Sequence, residues 1–203
     1  MSGGLVFILS GPAGSGKGTV VSEVLARDSR FMCAVSATSR PILAGETDGV
    51  NYHYMSRAQF EEKIAQGQIL EHTEYCGNYY GTLKSEFDRA HALGRHLILE
   101  IEVDGATQIK QKYPAAILVM VTPESAEVQK QRLVTRGRDT DESIKKRLMR
   151  AEEELDCLPS YDYRICNGDG ALARAVDDFL SIVRAEELRT CRTPDFKAEY
   201  FGK

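Results

Sequence analysis

Apolar runs and amphipathic stretches alternate along most of the chain. The first run, residues 5–9, ends at a glycine-rich segment, and residues 20–25 then carry apolar side chains at helical spacing. Two later runs, residues 97–101 and 116–121, are apolar without alternation, which is typical of strands covered on both faces of a parallel sheet. A short strand at residues 163–166 precedes a last amphipathic helix. The pattern predicts an α/β protein with a doubly wound parallel sheet.

Two stretches interrupt this alternation. Residues 36–83 are rich in Tyr, Gly and Glu, with short alternating segments and one helix that Ser56 opens in a capping box, so they predict an inserted β-rich subdomain. Residues 125–157 are dense in charge around Gly137 and predict two helices joined at a tip, the second capped by Asp141. Such a helical segment suits a lid over phosphates, or simply a solvated pair of charged helices. The core is predicted to comprise about residues 1–35, 84–124 and 158–203.

Composition narrows the functional classes. The chain has 203 residues, of which 42% are hydrophobic, and its formal net charge of −4 argues against nucleic-acid binding. No apolar run approaches the roughly 20 residues that a membrane helix needs, and the first residues lack a basic signal-peptide flank. We therefore expect a cytoplasmic protein that binds no membrane. Its five cysteines form no Cys-x-x-Cys pair and are expected to be reduced thiols.

A phosphate-binding motif directly follows the first predicted strand and directly precedes the first helix. The segment fits G-x-x-x-x-G-K and consists of Gly11, Pro12, Ala13, Gly14, Ser15, Gly16 and Lys17. Its glycines allow backbone N–H groups to surround phosphate oxygens, while the helix N-terminus and Lys17 supply positive charge. The simpler alternative is a glycine-rich turn without a ligand.

The residues around this motif, and one motif that is absent, limit the classes of nucleotide-binding protein that fit the sequence. Gly18 follows the lysine, and the hydroxyl group usually found at that position is displaced to Thr19, which puts direct magnesium ligation by that hydroxyl in question. The chain has no Asn-Lys-x-Asp guanine motif, which argues against a GTPase switch protein. The motif remains compatible with both ATPases and kinases.

Further motifs resemble those of the guanylate kinase family, from the phosphate loop to the final helix. They are residues 35–40, Gly45-Glu46, residues 49–52, Glu71, residues 77–82, residues 99–106, residues 135–137, residues 146–148, residues 161–163 and Asn167. The resemblance implies a P-loop NTPase-type core, a GMP-binding subdomain at about residues 36–83 and a lid at about residues 125–157. It also implies transfer of the γ-phosphoryl group of ATP to GMP, and also to dGMP, in purine nucleotide metabolism, with Mg²⁺ as cofactor. The partners would be these nucleotides alone, and the protein a monomer or homodimer.

Guanine offers N1–H and 2-amino donors on one edge and O6 and N7 acceptors on another, so carboxylates and hydroxyls can select it over adenine. By resemblance Glu71 and Glu102 accept from N1 and N2, while Ser36 and Thr82 lie near O6. Glu102 stands where many relatives carry Asp, and Glu100 likewise, so both carboxylates reach one methylene further.

The resemblance also implies a site for the GMP phosphate, with Arg40, Tyr52 and Tyr80 in three of its four positions. The fourth position, an arginine in the family, is Leu43 here, and one charge-assisted contact is expected to be absent. Alternatively, the loop takes another path and Arg57 or Lys84 reaches the phosphate.

The remaining implied roles concern ATP and the transferred group. Residues 11–19 would hold the ATP phosphates and Asn167 the adenine side, and Glu100 and Thr19 would hold magnesium, mainly through water. The implied catalytic residues are Lys17, Arg132, Arg136 and Arg147. Phosphoryl transfer depends on positioning and charge more than on covalent help, so no dedicated base is expected.

Two other readings remain. A different nucleoside monophosphate kinase is one, because Lys17-Gly18-Thr19 is also the adenylate kinase form of the loop; the segment from Glu71 to Thr82 argues against it. A non-catalytic interaction module is the other, since guanylate kinase-like domains with degenerate loops serve as scaffolds. Here the loop lysine and the lid arginines are retained.

Overall fold

The computed structural model describes residues 4–135, 137, 140–193 and 196–202. Its strands are β1 Val6–Ser10, β2 Phe31–Cys33, β3 Ala37–Thr38, β4 His53–Tyr54, β5 Ile69–Tyr75, β6 Asn78–Leu83, β7 His96–Glu100, β8 Ile117–Thr122 and β9 Tyr163–Cys166. Its helices are α1 Lys17–Arg27, α2 Arg57–Ala65, α3 Lys84–Ala92, α4 Val103–Lys112, α5 Ala126–Thr135, α6 Asp141–Asp156, α7 Leu172–Glu187 and α8 Phe196–Phe201.

The main sheet has five strands in the order β2-β7-β1-β8-β9, and every neighbouring pair is parallel. Helices cover both faces. Phe7 of β1 packs with Val24 and Phe179 of helices α1 and α7, whereas Ile8 packs on the opposite face with Ile109 of α4. Covering both faces requires strands that are apolar at consecutive positions, which is why β1, β7 and β8 lack alternation. The predicted doubly wound sheet is confirmed.

A second, smaller sheet is built from the inserted segment, in the order β4-β3-β6-β5. It encloses a separate apolar cluster of Ala37, Phe60, Ile69 and Leu83. Helix α2 begins after Ser56, whose hydroxyl accepts from the Gln59 N–H while the Gln59 side chain accepts from the Ser56 N–H, as the capping-box pattern predicts. Helix α4 packs against β5 and joins this sheet to the core.

Helices α5 and α6 form the charged segment that follows β8. The predicted cap of α6 is wrong by one residue. Thr140, with an extended backbone, accepts from the Ser143 N–H at 3.2 Å, and Asp141 is already the first helical residue. Asp141 favours the helix through its charge near the positive helix N-terminus instead. None of the helices within the described ranges is long and apolar enough to cross a membrane.

Candidate active site

The glycine-rich loop turns from the end of β1 into α1. Gly14 and Gly16 have φ of 86° and 78°, a left-handed backbone that side chains other than glycine rarely adopt. A Cβ on Gly11 would lie 2.1 Å from the carbonyl oxygen of Val121, so β8 leaves no room for a side chain there. Lys17 is the first residue of α1, and its Nζ donates to the Gly11 carbonyl at 3.0 Å. The lysine ammonium is therefore folded back over the loop.

Side chains from distant parts of the chain fix the loop backbone from outside. The Asn167 amide donates to the Ser15 carbonyl at 2.9 Å, and the Gln129 amide donates to the Ala13 carbonyl at 2.8 Å. Both amides are buried. These bonds satisfy two of the loop carbonyls from within the protein.

Two clefts open on either side of the loop. The first, of about 890 Å³, lies between the loop and α6 and is lined by Glu100, Glu102 and Arg147 among others. The second, of about 490 Å³, lies between the loop and the segment after β9, where Asn167 lines it. Thr19 is exposed and borders both. The loop can thus contact ligands in two adjoining spaces.

The expected catalytic arginines are divided between these clefts. Arg147 lines the first cleft with Lys146. Arg132 lines the second, where its Nη1 donates to the Asn167 carbonyl at 2.9 Å and its Nη2 pairs with Asp169 at 3.0 Å. Arg136 lies outside the described residues. Arg132 and Arg147 are therefore not brought together in this conformation.

Glu100 ends β7 directly beneath the loop. A Cβ on Gly18 would lie 3.1 Å from a carboxylate oxygen of Glu100, so the carboxylate lies against the position where the loop lacks a hydroxyl. Desolvation raises the pKa of Glu100, and the Lys17 cation opposes that rise. The chemistry of this corner, a carboxylate beside a phosphate loop with the Thr19 hydroxyl one residue on, fits a magnesium ion held partly through water.

Glu71 and Thr82 form a buried polar pair on neighbouring strands. Their exposed fractions are 4% and 1%, and the Thr82 hydroxyl donates to Glu71 Oε1 at 2.7 Å. Gly105 of α4 makes room for this carboxylate, since a Cβ there would lie 2.6 Å from Glu71 Oε2. Burial raises the pKa of Glu71, and the nearby Glu102 carboxylate adds to the rise.

Glu102 is the residue directly before the first residue of α4, where its side chain makes no capping hydrogen bond, and it borders the first cleft. Its Oε2 accepts from Arg150 Nη2 of α6 at 2.6 Å. Since Glu71 lies on β5, which packs on α4, the two carboxylates expected to contact guanine are brought to one junction. Arg150 was one of many basic residues in a charged segment, and nothing in the sequence singled it out.

Arg40 and two tyrosines form a second polar cluster on the inserted sheet. The guanidinium lies 5.6 Å from the Tyr52 ring centroid, and the Tyr52 and Tyr80 rings are 5.9 Å apart. Glu46 accepts from both Arg40 Nη atoms, at 2.7 and 3.0 Å. The Arg40 guanidinium lowers the pKa of Glu46 to about 2. Tyr54 also lies by Arg40, with its ring centroid 5.7 Å away, and sequence reasoning missed it.

The remaining residues of the expected GMP site are placed as follows. Ser36 is half-buried before β3, and its carbonyl accepts from the His53 N–H at 2.8 Å. Leu43 is 59% exposed. Arg57 stacks on Tyr79, and Lys84 pairs with Asp88 at 2.9 Å. Neither cation joins the Arg40 cluster, so the structure does not favour the alternative in which one of them replaces the missing arginine.

Several known proteins are similar to this chain. A family model described as guanylate kinase matches residues 4–186. A protein named guanylate kinase from Desulfitobacterium hafniense is 43% identical over 191 residues, 94% of each chain. Another of that name, from Streptococcus mutans, is 43% identical over 190 residues, 93% of this chain and 90% of its own.

A solved structure is also similar. The crystal structure of guanylate kinase from Anaplasma phagocytophilum superimposes with a TM-score of 0.76 at 27% identity and covers 98% of this chain and 95% of that one.

Proposed function

Because the chain belongs to the guanylate kinase family, and is thus a transferase that phosphorylates GMP with ATP, we propose that each of the two clefts beside its phosphate loop binds one of the two substrates. The adenosine part of ATP occupies the second cleft, by Asn167, and its phosphates lie on residues 11–19. GMP reaches from the inserted sheet into the first cleft, which Glu102 borders. The two substrates then meet above Lys17.

The guanine base is recognised at the junction of β5 and α4. Glu71 and Glu102 accept from N1–H and the 2-amino group, and the Thr82 and Ser36 hydroxyls lie near O6. Support comes from the short bond between Thr82 and Glu71, which holds the carboxylate in one orientation where it is largely shielded from water. Adenine lacks donors at both positions, so it would leave a buried carboxylate unpaired, at a cost in binding free energy.

The GMP phosphate is held by Arg40, Tyr52 and Tyr80. In the structure Arg40 donates two hydrogen bonds to Glu46 and one to the Pro41 carbonyl. Its two remaining N–H groups and the two tyrosine hydroxyls are the groups that would contact phosphate oxygens. An arginine fork can serve a carboxylate and a phosphate together because it carries five N–H donors. Glu46 then keeps Arg40 in place while GMP enters and leaves.

Transfer proceeds by in-line attack of a GMP phosphate oxygen on the γ-phosphorus of ATP. The bond from that phosphorus to the bridging oxygen breaks, and GDP and ADP result. Lys17 and Arg147 counter the negative charge that develops, and Arg132 and Arg136 act in the same way from the donor side. These residues contribute by fixed charge in a site that excludes water.

Magnesium belongs to this scheme as the cofactor of ATP. Glu100 is the carboxylate that would hold it, with Thr19 assisting, and the bound ion would neutralise phosphate charge. The close approach of Glu100 to Gly18 supports this assignment, because the carboxylate lies beside the loop in the space that a side chain at position 18 would occupy.

The buried pair of Glu71 and Thr82 is the observation that carries the assignment of guanine. The test is a coupled assay of ADP formation from ATP with GMP, dGMP, AMP, UMP and CMP as acceptors. We expect turnover with GMP and dGMP, and a kcat/KM for AMP lower by about 10⁴-fold, the discrimination typical of polar sites left unpaired by the wrong base. Comparable rates with AMP would reject the assignment, and binding of GMP without turnover would favour an interaction module.

A further inference from the structure

Arg150 connects the first cleft to the start of α4. Its Nη2 lies 2.6 Å from Glu102 Oε2 and its Nε lies 3.1 Å from Glu154 Oε1, while Asp104 Oδ2 is 3.9 Å away. One guanidinium on α6 therefore serves three carboxylates, one on its own helix and two at the N-terminus of another.

An isolated exposed ion pair contributes little to stability, so the value of this one must be sought elsewhere. Arg150 and Glu102 are 48% and 56% exposed, but Glu154 is only 14% exposed and borders the same cleft as the phosphate loop. Two carboxylates beside a cleft for phosphates would repel the ligand if they were left uncompensated. Arg150 supplies the compensating charge.

The contact leaves Glu102 able to bind a ligand. Arg150 donates to Oε2, and a carboxylate accepts hydrogen bonds on both oxygens. A glutamate at this position has one more rotatable bond than an aspartate, so a free Glu102 would sample several orientations and lose entropy on binding. Arg150 removes part of that freedom in advance.

We propose that Arg150 is a positioning residue for guanine recognition: it orients the Glu102 carboxylate toward the 2-amino group of GMP and ties that orientation to α6, the helix that also carries Arg147. This rests on the proposed function, in which Glu102 accepts from guanine. The contact is present in the structure, where Arg150 Nη2 donates to Glu102 and Arg147 of the same helix lines the same cleft.

Inosine monophosphate separates this role from a general structural one, because it keeps O6 and N1–H of guanine but lacks the 2-amino group. We would measure kcat and KM with GMP and with inosine monophosphate for wild type, R150A, E102Q and the double variant. In R150A we expect KM for GMP to rise about fivefold, with less than a twofold change for inosine monophosphate, since only the contact to the 2-amino group is weakened.

The double variant tests whether Arg150 acts through Glu102. With E102Q present, R150A should change the preference for GMP over inosine monophosphate by less than about twofold, because the residue it positions is already altered. R150K should restore only part of the preference, since one ammonium group cannot span Glu102 and Glu154 as the planar fork does. K145A removes an exposed cation from the same helix and should leave both substrates unaffected.

The outcomes distinguish a role of Arg150 in guanine recognition from a role in the fold of the lid alone. A normal preference in R150A together with a reduced one in E102Q would overturn the role of Arg150 alone. A normal preference in E102Q would overturn the assignment of Glu102, and the role of Arg150 with it. Equal losses for both substrates in R150A, or an undiminished effect in the double variant, would show that Arg150 serves only the fold of the lid. Melting temperatures of all variants confirm that the compared proteins are folded.

Discussion

The phosphate loop and the proposed GMP-binding site are built in opposite ways. The second, the reading site, comprises Arg40, Glu71, Thr82, Glu102 and Arg150. The loop is a run of consecutive residues whose shape is fixed by left-handed glycines and by buried amides from Gln129 and Asn167. The reading site takes single side chains from β5, β6, α4 and α6, and ion pairs such as Arg40 with Glu46 hold several of them. The first site is thus one continuous stretch of backbone supported from outside by side chains, whereas the second is assembled from side chains of separate elements.

This difference implies that substitutions in the two sites should have different effects. Replacing a charged loop residue removes charge while the loop backbone keeps its shape, so kcat should fall while the fold is retained. A change in the reading site alters which acceptor is bound, and by how much, while the chemistry on ATP is preserved. The following predictions test this contrast, beginning with the largest effect.

Removing the loop cation is expected to have the largest effect. K17A should lower kcat about a thousandfold, in the range found when one preorganised electrostatic group is deleted, while the melting temperature stays near that of wild type. The reason is that Lys17 contacts only a loop carbonyl among the bonds described and adds no apolar surface to the core. Steady-state kinetics and thermal unfolding check both parts. Activity within tenfold of wild type would remove Lys17 from the mechanism.

Removing the buried carboxylate of the reading site comes next. E71Q should lower kcat/KM for GMP about a hundredfold, because an amide replaces one acceptor by a donor facing guanine donors, with KM for ATP unchanged. E74Q is the matched control, since Glu74 lies on the same strand but is 47% exposed and pairs with Arg57. An equal loss in E74Q would mean that the strand, and not the carboxylate contact, was disturbed.

Restoring the missing arginine should have a smaller, opposite effect. The Leu43 N–H donates to Glu46 Oε2 at 2.8 Å, which is the carboxylate that holds Arg40, so L43R adds a second guanidinium beside the first. We expect KM for GMP to fall about tenfold, the value of one charge-assisted bond, with KM for ATP unchanged.

The neighbouring I42R is the charge-matched control for L43R. Ile42 and Leu43 are 50% and 59% exposed, so neither change disturbs the core. An effect of I42R as large as that of L43R would indicate general attraction of GMP by added charge. No fall in KM for L43R would mean that the site already compensates for the missing arginine.

Acidification should give the smallest effect, a change of a few fold in KM for GMP. Burial raises the pKa of Glu71, so its proton returns at a higher pH than for an ordinary glutamate, whereas Arg40 holds the pKa of Glu46 at about 2. Guanine recognition should therefore weaken on mild acidification while the Arg40 pair persists. KM measured against pH for wild type and E71Q checks this, since E71Q should lack the acid limb.

Protonation of Glu71 by itself should not destabilise the fold. A raised carboxyl pKa means that the folded state binds the proton more tightly than the unfolded state, so protonation of Glu71 does not lower the free energy of unfolding. Circular dichroism across the same pH range separates loss of binding from loss of structure. A rise in KM that coincides with unfolding would contradict the assignment to Glu71.

The contrast also explains what the sequence could predict. The parallel sheet, the loop and the capping box at Ser56 follow from neighbouring residues, and the structure confirms them. The contact of Arg150 with Glu102 joins residues 48 positions apart and depends on where α6 lies relative to the start of α4, so no local pattern reveals it. Arg132 and Arg147 look alike in sequence, yet they line different clefts because they lie on different helices.

The separate apolar cluster of the inserted sheet has an evolutionary consequence. Ala37, Phe60, Ile69 and Leu83 share their burial with one another and belong to neither cluster of the main sheet. Substitutions in this cluster therefore affect mainly the stability of the inserted sheet and leave the phosphate loop unchanged. Such a boundary allows the apolar interior of residues 36–83 to vary without disturbing the phosphate loop. A new acceptor preference would also require changes at Glu102 and Arg150, which lie outside that segment.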